Sequence, residues 1–181
     1  MNCVHRIRPS RGSFRSALTI VEAAISTLIV GVMLVAALNT VGAAYLGRAR
    51  VENQGRGMLL AQQLVTEILQ QAYVDPEAGW GSFGLGGDEV GDGSRSLWED
   101  VDDYYDWSAS PPQYKDGTVI TGFDDWERSS TVAWVTDADL EQSVGYETGI
   151  KRIVVSVSRD GVPIATLVAY RTYAWDASDD E

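Results

Sequence analysis

The chain has 181 residues, with 14 Lys and Arg, 26 Asp and Glu, one His and one Cys, and a formal net charge of −12. That length suits one ordinary domain, or a small domain with an appendage, rather than two full domains. The negative balance excludes nucleic acid as a direct ligand of the bulk surface, because phosphate binding needs Lys and Arg to release counterions. The charge is also segregated along the chain. Residues 1–17 carry Arg6, Arg8, Arg11 and Arg15 and no acid, whereas residues 75–181 carry 23 acids against 7 bases.

Between these blocks, Ala23 to Gly47 contains no charged residue. As a helix this run spans about 37 Å at about 1.5 Å per residue, enough to cross a hydrocarbon core of about 30 Å. It is longer than most buried core helices and longer than the usual h-region of a secretory signal. An Ala-x-Ala-like site at Val35-Ala36-Ala37 keeps a signal peptide open as an alternative. Four Arg precede the span, while Arg48, Arg50 and Arg56 follow it. The positive-inside rule therefore favours a cytoplasmic N-terminus, without a strong bias.

Glu22 stands at the N-terminal edge of the apolar run, in Ala17-Leu18-Thr19-Ile20-Val21-Glu22-Ala23. A lone acid in a membrane helix costs about 2.5–3.5 kcal/mol at mid-depth and calls for a partner. On position alone, a carboxylate solvated in the headgroup zone explains it equally well.

The basic leader, the small residue Ala17, then Leu18-Thr19-Ile20-Val21-Glu22 and a long apolar helix resemble the N-terminus of type IV pilins and type II secretion pseudopilins. The family pattern has Gly before the cut and Phe after it, where this chain has Ala17 and Leu18. The resemblance covers residues 11 to about 73. It implies cleavage between Ala17 and Leu18 by a prepilin peptidase, N-methylation at Leu18, and retention of the apolar segment in the mature protein. It further implies that Glu22 faces the Leu18 amine of a neighbouring subunit during assembly. Opposite charges attract strongly in a bundle of low dielectric, which makes that pairing physically sound.

Beyond the span, Met58, Ala61, Val65, Ile68 and Ala72 step by three or four, with Leu60 and Leu64 widening the stripe. Gln63, Glu67, Gln70 and Gln71 fall on the other side, so the pattern predicts an amphipathic helix. Asp75-Pro76 bounds it, and one helix is expected from Leu18 to Tyr73. Gly31, Gly42, Gly47, Gly55 and Gly57 are its expected soft points. The segment 61–69 looks more like a minor than a major subunit of the family.

Residues 75–127 are rich in Gly, Asp, Trp and Tyr. The run Trp98 to Trp107 is the most acidic, and is read as a solvated loop held by Trp98, Tyr104, Tyr105 and Trp107. Calcium takes six to eight oxygens, and Asp88, Asp92, Asp100, Asp102 and Asp103 are weak candidates to supply them, without EF-hand spacing. Some major pseudopilins bind calcium, so the resemblance allows it here; otherwise no cofactor is expected.

From residue 128 the period becomes two. Ser130, Val132, Trp134 and Thr136 form one face of a strand, and Ile153, Val155 and Val157 one face of another. Asp160-Gly161 is a hairpin turn signal, with a return strand from about Val162 to Tyr173. The fold class is α+β: a long N-terminal helix, half transmembrane and half amphipathic, packed on a small antiparallel sheet. The expected segments are 1–17 leader, 18–47 transmembrane and assembly helix, 48–74 its amphipathic continuation, 75–127 acidic loop, 128–175 sheet and 176–181 loose tail.

Cys3 and His5 both lie in the leader, so the chain from Leu18 onward holds neither residue type. Cys nucleophiles, Ser-His-Asp triads, disulfides and ordinary zinc sites are excluded together, and no enzyme is expected. The resemblance implies a structural subunit of a pilus-like or pseudopilus filament. Its expected location is the bacterial inner membrane, single-pass, with the C-terminal domain extracytoplasmic. Its partners would be other pilin or pseudopilin subunits, the prepilin peptidase and the membrane. The competing reading is a membrane-anchored binding module that does not polymerise.

Overall fold

The computed structural model describes residues 19–77, 79–86 and 94–176. The chain divides into two units, 1–48 and 49–181, and each is described by itself. Helix α1 (Ile20–Leu69) contributes to both. In the second unit it is followed by a single 3₁₀ turn (Asp102–Tyr104), β1 (Trp107–Ala109), β2 (Trp126–Val135), β3 (Ser143–Val144), β4 (Ile150–Arg159), β5 (Val162–Thr172) and the short α2 (Tyr173–Asp176). This is the α+β class that the sequence predicts.

All strand pairings are antiparallel, in the order β1-β2-β4-β5, with β3 paired to the end of β2. The β4–β5 hairpin closes through Asp160 and Gly161, both at positive φ (51° and 74°), the conformation a two-residue primed turn requires. A bulge between Val157 and Ser158 shifts the β4–β5 register by one residue.

The core forms where Leu60, Ala61, Leu64 and Ile68 of α1 meet Trp126, Val132, Ile153, Val155, Val157 and Ala165 of the sheet. Trp98, Val101, Tyr104 and Ile120 close its side. Leu60 and Leu64 are therefore the centre of the helix stripe, while Met58 and Val65 lie half-buried at its margins. Gly57 marks the closest approach, since a Cβ there would lie 2.5 Å from Ile164 Cγ2. It is a packing position, not a soft point, and α1 runs unbroken through all five glycines.

Helix α1 ends at Leu69, short of the expected Tyr73. The backbone of Ala72 is recruited elsewhere: its N–H donates to Glu99 O (3.0 Å), and its carbonyl accepts from Val101 N–H (3.1 Å). Gln71 turns back, its amide nitrogen donating to Glu67 O (2.9 Å), which satisfies one of the last helical carbonyls.

Candidate membrane and assembly helix

The first unit holds the apolar span. It is the one helix among the described residues long and apolar enough to cross a membrane, and none of its apolar window is buried. A core helix of a soluble domain would be covered; this one exposes Leu28, Val32, Val35, Leu38 and Leu46 alike. Its two threonine hydroxyls are satisfied within the helix. Thr27 Oγ1 donates to Ala24 O, and Thr40 Oγ1 to Ala36 O, both at 2.9 Å. Internal satisfaction of polar groups is what a hydrocarbon environment demands.

The start of α1 has a local logic that the sequence reading missed. Thr19 Oγ1 accepts the Glu22 backbone N–H (3.2 Å), and Thr19 O accepts the Ala23 N–H (3.1 Å). Thr19 is thus the N-cap, and Thr19-Ile20-Val21-Glu22 has the Thr-x-x-Glu spacing of a capping box. An acid in the first turn also complements the helix dipole. Ala17 and Leu18, the expected processing residues, lie outside the described residues.

In the second unit, the acidic run is not solvated as expected. Asp100, Asp102 and Asp103 are each 1% exposed, while Tyr105, expected to help hold the run, points outward. The carboxylates face the chain itself. Asp100 Oδ1 accepts the N–H groups of Asp102 (2.6 Å) and Asp103 (3.3 Å), and Asp103 Oδ2 those of Glu99 and Asp100 (both 3.0 Å). Asp102 Oδ2 accepts the Gly84 N–H (3.0 Å), and Asp102 Oδ1 pairs with the Lys151 ammonium, which also donates to the Tyr73 carbonyl. Burial, then a hydrogen bond to Asp102 and the charges of Asp102 and Asp103, push the Asp100 carboxyl up to about 8, against the opposing pull of Lys151.

A second buried network joins helix, loop and sheet. Arg95 forks onto Glu67 through Nε (2.8 Å) and Nη2 (3.3 Å), and Tyr104 donates its hydroxyl to Glu67 Oε1 (3.0 Å). Arg128 Nη1 donates to Leu60 O (3.2 Å), and Arg95 and Arg128 share the Gln113 carbonyl. Burial, reinforced by the neighbouring Arg95 charge, pushes the Arg128 guanidinium down to about 10. Glu67, placed on the polar side of the helix by its pattern, is instead the anchor of the loop.

Among the described residues no group of three acid, His or Cys side chains is arranged to hold a metal ion. Asp100, Asp102 and Asp103 are brought together, but around backbone amides and Lys151. Asp88 and Asp92 lie outside the described residues. No family model matches the chain, and no curated protein or solved structure shows significant similarity to it.

Proposed function

We propose that the chain is a pilin-like filament subunit of the type IV pilus or type II secretion pseudopilus class, and not an enzyme. In this reading a prepilin peptidase cuts between Ala17 and Leu18, Leu18 is N-methylated, and the protein sits in the inner membrane with residues 49–181 outside the cytoplasm. The observation that carries it is a fully exposed apolar span that shares one helix with the core-forming residues Leu60, Leu64 and Ile68, and that begins at Thr19 and Glu22 behind a basic leader. A span with no covering in the isolated chain needs lipid or neighbouring subunits around it.

N-terminal sequencing of the mature protein tests the reading, with N-methylated Leu18 as the expected result. An intact Met1, or a new terminus near Ala37, overturns it.

Thr19 capping the helix, with Glu22 as an acid in its first turn, supports a second reading, a membrane-anchored module that never polymerises, since an anchor helix already has a use for a carboxylate at its positive dipole end. Glu22→Gln separates the two. Gln keeps the capping-box chemistry and removes the charge. Filament assembly through a Glu22–amine pair predicts loss of crosslinkable oligomers in Glu22→Gln as in Glu22→Ala, with membrane insertion unchanged. Equal oligomer yields in wild type and Glu22→Gln would refute the charge pair.

A further inference from the structure

Asn39 interrupts the apolar span at a depth where lipid has nothing to offer it. Every residue from Leu28 to Leu38 is apolar, and the midpoint of the uncharged run from 23 to 47 is Val35. Asn39 is therefore about 6 Å along the helix from the middle, inside a hydrocarbon half-thickness of about 15 Å. Its carboxamide carries two N–H donors and an acceptor oxygen on a side chain too short to reach the headgroups. Thr27 and Thr40 bond back to carbonyls of their own helix, but no described residue bonds the Asn39 carboxamide. An amide left unpaired in hydrocarbon is costly, so a side chain of this kind belongs against a protein neighbour.

The same face of α1 has room for that neighbour. Asn39 lies at one end of a shallow groove lined also by Leu28, Gly31, Val32, Val35 and Ala36. Nothing lies within 4 Å of the Gly31 Cβ position, so a second backbone can come close there. Hydrogen bonding identifies the occupant. A carboxamide is complementary to itself, because each copy can donate an N–H to the oxygen of the other. A second copy of the chain inserts in the same orientation and brings its own Asn39 to the same depth. Any other partner must supply a matching polar group at that level of the bilayer.

We propose that the chain forms a parallel, in-register dimer in the membrane, with the two Asn39 carboxamides bonded to each other and Val32 and Val35 packed beside them. The proposal rests on reading this helix as a membrane span, and not on filament formation. It is also a different contact from the Glu22–amine pair. Pairing Glu22 of one copy with Leu18 of the next offsets the copies by the four residues between them, which takes the two Asn39 side chains out of register. The dimer is thus a membrane state that a Glu22-paired assembly would have to leave.

The test is oxidative crosslinking in membranes of cells expressing the full chain, in a Cys3→Ser background that leaves one introduced thiol. Val35→Cys lies about 40° round the helix from Asn39, and Ala37→Cys about 160°. Val35→Cys should give a band of twice the chain mass, and Ala37→Cys about threefold less or weaker still. Adding Asn39→Leu should cut the Val35→Cys dimer about threefold or more, whereas Asn39→Gln, which keeps the carboxamide, should retain it. Thr40→Val should leave it unchanged, because that hydroxyl is already bonded within the helix. Glu22→Gln should leave the dimer band intact as well. Equal crosslinking at positions 35 and 37, a dimer insensitive to Asn39→Leu, or an equal loss in Asn39→Gln would overturn the proposal. So would loss of the dimer in Glu22→Gln, which would make it the staggered contact. Carbonate extraction separates this outcome from the span itself. A chain released by carbonate removes both the span and the dimer, and a chain retained but never crosslinked removes the dimer alone.

Discussion

Lys151 is 1% exposed and meets the Asp102 carboxylate, the Tyr73 carbonyl and, at 4.5 Å, the face of the Tyr73 ring. A buried pair of this kind adds little compared with an apolar replacement of both partners, but removing one partner leaves a bare charge inside. Lys151→Met should therefore destabilise the second unit by about 3–5 kcal/mol, read by denaturant unfolding. Lys151→Met combined with Asp102→Leu should recover most of that loss. A single variant as stable as wild type would mean that the pair is not buried as described.

Asp100 sets a pH dependence. Its carboxyl is raised from 3.8 to about 8 in the fold, so between those values the folded state binds a proton that the unfolded chain releases. Its contribution to stability is complete below about pH 4 and is lost as the pH rises towards 8. Melting temperature should accordingly fall across that window, and Asp100→Asn should flatten the fall while keeping the Oδ1 acceptor for Asp102 and Asp103. An unchanged slope in Asp100→Asn would assign the effect to another group.

These buried charges were partly legible. Arg128 has the same parity as Ser130 and Val132, and Lys151 the same as Ile153, Val155 and Val157, so the period-two pattern places both inward. The faces named from sequence, Ser130 to Thr136 and Ile153 to Val157, stop short of these two charges, although the same parity runs through them. What the pattern does not contain is the partner: Asp102 and Glu67 come from a 3₁₀ turn and a helix far away in sequence.

At the scale of elements, the contact of α1 with β5 rests on one missing side chain. Gly57→Ala gains up to about 1 kcal/mol of helix propensity, but it sets a methyl 2.5 Å from Ile164 Cγ2 and 3.3 Å from Trp126 Cζ3. Overpacking of this kind costs about 1–3 kcal/mol, so the net effect should be destabilising. Gly55→Ala is the internal control, since nothing lies within 4 Å of its Cβ position, and it should be neutral or stabilising. In an Ile164→Ala background the Gly57→Ala penalty should largely vanish. Thermal melts of the four variants check the set, and equal effects at Gly55 and Gly57 would refute the close approach. From sequence the two glycines are indistinguishable, because only the sheet that α1 meets tells them apart. The strands and hairpin were readable where turn chemistry and parity agreed. The helix end was not, because Ala72 is drawn into bonds with residues 99 and 101 that no local signal announces.

For the whole molecule, charge distribution separates two ways in which copies could associate. Residues 18–74 carry three acids and three bases, whereas residues 75–181 carry a net −16. Bringing second units of several copies together therefore concentrates like charge, because their seven bases leave 23 acids largely uncompensated and three of those bases, Arg95, Arg128 and Lys151, are buried. Association through the apolar helices works against this repulsion, which salt screens over about 10 Å at 0.1 M. In the proposed filament, a Glu22–amine pair inside the bilayer would be shielded from such screening. Raising the ionic strength from about 10 to 150 mM should thus increase, or leave unchanged, the yield of crosslinked oligomers in membranes. Attraction between oppositely charged surfaces of the second units would give the reverse, since salt would weaken it. A fall in oligomer yield with salt that persists in Glu22→Gln would place the assembly contact in the second unit and remove the helix as its driver.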